Sequence, residues 1–418
     1  MFGRGGRRNI LIFLSVLGPG VITAMVDNDA GGIATYSITG AKYGYSMIWV
    51  IAIMTTILLS MIQEMNVRMG MVTGKGLAAL IRERFSLRLT ALVMLALVIA
   101  NFANTMGEFA GIAASMQIFG VSKYIAVPFM AAAIWWLVVK GTYSPVEKVF
   151  LIASLVYFVY IPAAILAKPN WGQVTLGTFV PSIETNAAFI TTLIAVIGTS
   201  IAPWQQFYQQ AAIVDKGLDL DTYKYELTDT ILGCVLMAII ASFIVIACGA
   251  AFFNNPAVGA TQITDAGQAA AALAPIAGKN ASYLFAIGLF VAATFAGSIL
   301  PLSTAYSVCE AFGWESGINR KFREAPRFYI LYTSFIAGAA LLILIPRIPL
   351  ISVMFISQAM NGLMLPVILI CMALIINDRE IMGDYVNKGV FNTIIWIAVI
   401  FLVALTLALV YFTIFPAR

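Results

Sequence analysis

Histidine is absent from all 418 residues. That removes the usual imidazole metal ligand and the usual proton relay near neutral pH. Charge is scarce as well: Asp, Glu, Lys and Arg make up 10% of the chain, against about a quarter in soluble domains. A soluble globular class is therefore excluded. The four cysteines (Cys234, Cys248, Cys309 and Cys371) stand singly in apolar stretches, with no metal-site spacing. Alternating barrel patterning is missing, as is any linker long enough to set a soluble domain apart. No basic patch suited to nucleic acid is present. The chain reads as no enzyme, with no cofactor and no obligate protein partner. Its partners are the lipid bilayer and whatever crosses it.

What remains is 61% hydrophobic residues, gathered into runs that match the roughly 20 residues a spanning helix needs. The spacing predicts an all-α polytopic membrane protein with eleven spans: 9–40, 45–71, 88–119, 123–140, 147–167, 187–214, 224–253, 280–309, 327–346, 350–376 and 390–414. With the N-terminus inside, eighteen of the 24 basic residues face the cytoplasm. The other six (Lys42, Lys123, Lys168, Lys279, Arg347 and Arg418) fall outside. The positive-inside rule therefore supports both the count and a C-terminus outside. Arg4, Arg7 and Arg8 precede a stretch that continues as a real span, so no cleavable signal is expected. The longest polar stretch, 254–279, is expected outside, with room for a short helix.

The first span carries its own interruption, Asp27-Asn28-Asp29-Ala30-Gly31-Gly32. A charge near the bilayer centre costs roughly 2.5–3.5 kcal/mol on insertion scales, so it persists where it faces a cavity or a ligand. The glycine pair weakens the helix at the same place. A helix broken at that depth presents free carbonyls, tolerated only inside protein or along a water-filled cavity. Carboxylates and carbonyls are hard oxygen donors that suit Mg²⁺, Ca²⁺ or Mn²⁺. The sixth span repeats the device at Ala202-Pro203-Trp204-Gln205-Gln206, where Pro203 removes a backbone donor. Two broken spans five spans apart predict an inverted-repeat transporter with a midplane site. The repeats are 9–167 and 187–376, and 390–414 is an additional helix. Elsewhere, Glu64 and Arg68 at i,i+4 predict a helix pair. Asp229 is read as a helix partner or a gate residue.

Gly18-Pro19-Gly20, Gln63-Glu64-Met65, the block from Arg68-Met69-Gly70-Met71-Val72-Thr73 to Gly74-Lys75, Gly107-Glu108-Phe109-Ala110-Gly111, Ser357-Gln358 and Ile381-Met382-Gly383 follow one another along the chain. Together they resemble the Nramp family of divalent-metal transporters, over essentially the whole length. The resemblance implies a LeuT-like five-plus-five inverted repeat with helices 1 and 6 broken and one helix added. It also implies a divalent metal ion as substrate and a plasma-membrane location in a prokaryote.

The family's Asp-Pro-Gly-Asn break reads Asp29-Ala30-Gly31-Gly32 here, and its Met-Pro-His reads Ala202-Pro203-Trp204. The aspartate three residues before Glu108 is Thr105. These departures look like those of the Nramp-related magnesium transporters, a branch of the same fold. Loss of the thioether at Ala202 removes a soft ligand that favours transition metals. Smaller residues at 32 and 202 leave room for a partly hydrated Mg²⁺, an ion that sheds water reluctantly; Mn²⁺ is expected to pass too. The expected metal site has Asp29 as charged ligand, with carbonyls near Val26 and Thr199. Asn28, Gln205 and Gln358 bind the ion or its waters, and Asp27 lines an outer vestibule or caps the second half-helix. With Trp204 and Thr105 at the coupling positions and Glu108 left alone, entry is expected without proton coupling. The alternatives are a proton-coupled Mn²⁺/Fe²⁺ importer, an organic-solute symporter and an intramembrane aspartyl enzyme.

Overall fold

The computed structural model describes residues 18–140, 143–184, 186–253, 278–346 and 350–414, and all secondary structure among them is helical. The first span is split into α1 (Pro19–Val26) and α2 (Ala30–Tyr43). Then follow α3 (Val50–Thr73), α4 (Leu77–Arg84), α5 (Leu87–Ile118), α6 (Lys123–Lys140), α7 (Pro145–Leu166) and α8 (Trp171–Phe179). The sixth span is split into α9 (Ala187–Ser200) and α10 (Pro203–Lys216). The rest is α11 (Tyr223–Phe252), α12 (Lys279–Phe312), α13 (Pro326–Leu344), α14 (Leu350–Ile376) and α15 (Gly389–Ile414). Among the described residues ten helices or helix pairs are long and apolar enough to cross a membrane. The eleventh expected span, 9–40, falls on the α1–α2 pair, which is not among those ten. Most of the long polar stretch and the first span before Gly18 lie outside the described residues.

Local chemistry explains where the helices stop. Asp29 adopts extended backbone and caps α2 through its side chain, which accepts from the Gly32 N–H. Asn186 caps α9 in the same way, donated to by Phe189 N–H at 2.8 Å. Pro203 occupies the first turn of α10, where its missing N–H leaves no gap. Gly74, Gly217 and Gly313 end α3, α10 and α12 in the left-handed conformation at φ 63°, 70° and 66°. The expected Glu64–Arg68 pair forms at 2.9 Å, and Arg68 also donates to the Tyr385 carbonyl. Three features have no counterpart among the expected spans: the short helices α4 and α8, and a π-helical turn, Val50–Thr55, that opens α3.

The two broken pairs lie at the centre. α1 and α2 pack on α11, α2 also touches α5 and α14, α9 lies along α14, and α10 sits between α3 and α12. Close approach is set by glycine. A Cβ on Gly20 would fall 2.5 Å from the Thr230 backbone, and one on Gly233 would fall 2.7 Å from the Gly20 carbonyl oxygen. The outer helices instead expose large apolar side chains, such as Phe129 (70% exposed) and Val390 (75%). In a bundle read as spanning the bilayer, those faces meet lipid.

Candidate metal centre

At the α1–α2 junction the helix loses one specific hydrogen bond. In an unbroken helix Ala30 N–H would donate to the Val26 carbonyl. Here it donates to Glu108 Oε2 of α5 at 3.0 Å, so the Val26 carbonyl lacks its i+4 donor. Across the site, the Thr199 carbonyl would be served by residue 203, and proline has no N–H. Both carbonyls expected from the sequence are therefore released from helical bonding, one by a carboxylate and one by an imino acid.

Backbone and side-chain oxygens also crowd Gly32 at this junction. A Cβ on Gly32 would lie 2.6 Å from the Asp27 carbonyl oxygen, 2.9 Å from Thr199 Oγ1 and 3.1 Å from Asp29 Oδ1. Gly32 is thus crowded by three oxygens that leave no room for a side chain. Asp27, Asn28 and Asp29 are all buried, at 1%, 0% and 2% exposure. Both carboxylate oxygens of Asp27, Oδ1 of Asn28 and Oγ1 of Thr199 have no hydrogen-bond partner. Unsatisfied buried oxygens are costly and call for an explanation; a cation is one.

Gln358 holds Asp29 from α14, its Nε2 donating to Oδ1 and Oδ2 at 3.3 Å each. The amide lies over Gly31, where a Cβ would come within 2.1 Å of Nε2. Behind it, Asn361 Nδ2 donates to Gln358 Oε1 at 3.0 Å, and Asn104 Nδ2 of α5 donates to Asn361 Oδ1 at 3.0 Å. Asn28 Nδ2 donates to the Met237 carbonyl of α11 at 3.3 Å, turning its oxygen free. Tyr36 and Ser200 pair through their hydroxyls at 2.9 Å and tie α2 to α9.

The structure therefore brings Val26, Asp27, Asn28, Asp29, Gly32, Thr199 and Gln358 to one junction. The remaining expected residues sit differently. Asp29, not Asp27, caps α2, so that suggested role for Asp27 is corrected; Asp27 instead ends α1, buried beside Gln205 and facing the charge of Asp29. Ala202 is buried, and its carbonyl accepts from Gln205 N–H and Gln206 Nε2, both at 3.2 Å. Gln205 directs its amide at the Thr23 carbonyl at 3.5 Å. Trp204 is wholly buried with its indole N–H unpartnered, and its carbonyl accepts from Ser303 at 2.9 Å. Thr105 donates back to Asn101 of its own helix at 2.7 Å. Among the described residues no three His, Cys, Asp or Glu side chains group as a metal cage. The oxygens gathered at the junction are those of amides, hydroxyls and carbonyls around two carboxylates. Asn104, Asn361 and Ser200 escaped the sequence reading. Polar side chains inside apolar runs were the available signal, but nothing local tells which of them turn inward.

Two discontinuous helices with oxygen-lined ends, buried inside a helical bundle, define a transporter of the membrane-embedded, broken-helix class. Comparison with known proteins makes that specific. The family model described as "Natural resistance-associated macrophage protein-like", Nramp, matches residues 20–412, and the chain belongs to that family. The chain is 25% identical to the divalent metal cation transporter MntH of Deinococcus radiodurans, covering 96% of this chain and 91% of the relative. It is 26% identical to MntH of Acidiphilium cryptum, over 93% of this chain and 87% of the relative. Its fold is similar to the crystal structure of the Eremococcus coleocola manganese transporter (TM-score 0.76, 20% identity, 97% and 87% coverage). More distantly, it is similar to MhsT in complex with L-phenylalanine (TM-score 0.58, 14% identity, 95% and 97% coverage). The fold is thus the LeuT type expected, and the protein is an integral membrane divalent-metal transporter.

Proposed function

We propose that this transporter imports Mg²⁺, with Mn²⁺ as an accepted second ion, as a partly hydrated cation and without a coupled proton. The observation that carries the reading is the set of oxygens gathered at the junction around Gly32: the Asp27 carbonyl, Thr199 Oγ1 and Asp29 Oδ1. Its donors are all oxygen, the ligand type of hard cations. Asp29 is the charged ligand. The freed carbonyls of Val26 and Thr199 serve beside it, and Asn28, Gln205 and Gln358 contact the ion or its waters. Asp27, with both oxygens unpartnered, adds a second negative charge at the same depth. The two repeats, 9–167 and 187–376, alternate access around this junction, with the N-terminus in the cytoplasm.

Family resemblance supports the ion assignment through what is missing. Ala202 stands where a methionine is expected and Gly32 where an asparagine is expected. A thioether returned at Ala202→Met is expected to raise Cd²⁺ uptake and lower Mg²⁺ uptake, because sulfur favours soft metals. Unchanged Cd²⁺-to-Mg²⁺ uptake ratios in that variant would count against the assignment.

A second reading, a proton-coupled manganese importer, is favoured by the relatives: one solved neighbour is a manganese transporter and the curated ones are divalent metal cation transporters. Energetics do not require coupling. An inward-negative potential supplies about 2.3 kcal/mol per charge per 100 mV, twice that for a divalent ion. Flux of Mg²⁺ and Mn²⁺ into proteoliposomes carrying an internal pH dye separates the two. Entry of both ions at constant internal pH is the expected result. Acidification that tracks Mn²⁺ entry, with Mg²⁺ excluded, would establish the manganese reading instead.

A further inference from the structure

A second group of acids lies at the end of the bundle where α1 begins, away from the α1–α2 junction. Asp229 of α11 reaches the first turn of α1: its Oδ2 accepts from the N–H groups of Gly18, Gly20 and Val21 at 3.1, 2.8 and 3.4 Å. Its other oxygen has no partner. One helical turn earlier, Glu226 is fully buried and neither carboxylate oxygen has a partner. Residues at i,i+3 share a helix face, so the two side chains present three unpartnered oxygens side by side. Glu147 of α7 lies next to Gly18 and is answered by Lys216 of α10 at 2.7 Å. Lys216 also faces Glu226, and Lys148 stands beside Glu147.

A line of neutral amides joins this group to the central junction. Gln205, beside Asp27, accepts from Gln206 Nε2 at 3.3 Å. Asn66 Nδ2 of α3 donates to Gln206 Oε1 at 2.7 Å and reaches Gln209 Oε1 at 3.5 Å. Gln209 Nε2 donates to Thr230, the residue after Asp229, at 3.1 Å. All of these side chains are buried. Amide oxygens can replace waters around a cation, and amides carry no charge that would trap it.

The geometry points to a second divalent-cation site at Glu226 and Asp229, a release site reached from the central junction along the α3–α10 amides. Two buried carboxylates with three unpartnered oxygens call for more counter-charge than Lys216, which Glu147 shares, supplies. The ion leaving the centre supplies it in transit, and α1 covers the site until its N–H groups let go of Asp229. The inference rests on the junction being a cation site, and the test keeps the two claims apart.

Mn²⁺ titration of the purified full-length protein, followed by loss of the free-ion electron paramagnetic resonance signal, counts bound ions. The wild type is expected to bind a second Mn²⁺ beyond the first. Asp29→Ala should lose one and keep the other. Adding Glu226→Gln should remove the remaining ion, while Glu226→Asp in the same background should retain it. Saturation of the wild type with one ion overturns the second site, as does a residual ion that survives Glu226→Gln. If Asp29→Ala keeps both ions, the central reading fails instead, and Glu226→Gln alone still decides the release site. The wild-type count stands even if a variant does not fold.

Discussion

Replacing Asp29 with alanine is expected to abolish divalent-cation uptake. Removing one partner of a buried, hydrogen-bonded charge costs about 2–5 kcal/mol, or roughly thirtyfold to a few thousandfold in affinity. The alanine also deletes the cap of α2, worth about 1 kcal/mol of stability, so loss of transport alone could reflect a frayed helix. Asp29→Asn separates the two effects. Asparagine caps a helix as well as aspartate does but brings no charge to the ion. Both variants are expected to lose uptake of Mg²⁺ and Mn²⁺ in proteoliposomes, and only the alanine should melt earlier. Wild-type uptake by Asp29→Asn would show that charge at this position is not what holds the ion.

The second large effect is expected at Gly32→Ala. The added methyl group would sit 2.6 Å from a backbone carbonyl oxygen and 2.9 Å from Thr199 Oγ1. The first is backbone and cannot swing aside, so the junction itself must shift. Overpacking of this kind costs about 1–3 kcal/mol, and here it also displaces three candidate ligand oxygens. Uptake is expected to fall roughly tenfold or more, with the protein still eluting as a folded species on size exclusion. An alanine variant with unimpaired Mg²⁺ entry would mean that the oxygens around Gly32 do not hold the ion.

The same residues show what a sequence can and cannot disclose. Span boundaries were legible because long uncharged runs are bounded by charged or glycine-rich turns; 123–140 and 350–376 coincide with α6 and α14. Both breaks were legible because Asp29, Gly31, Gly32 and Pro203 act on their own backbone. The free carbonyl of Thr199 follows from the same local logic, whereas that of Val26 also depends on Glu108, 78 positions from Ala30. Partners far along the chain were not legible. Asp229 meets Gly18 across 211 positions and Gln358 meets Asp29 across 329, and no periodicity encodes which face of α11 or α14 turns inward. The helices α4 and α8 are too short to register as spans. The π turn in α3 consists of Val, Ile, Ala, Met and Thr, a composition that ordinary helices share.

The amides behind Asp29 all point one way: Asn104 donates to Asn361, Asn361 to Gln358, and Gln358 to the carboxylate. A cation bound at Asp29, as proposed, would repel the Gln358 NH₂ group and attract its oxygen. Were that amide to rotate, Asn361 would face a donor where it now has an acceptor and would have to rotate in turn, and Asn104 after it. Occupancy at the centre would then be converted into a reversal of hydrogen-bond polarity that ends on a different helix, α5.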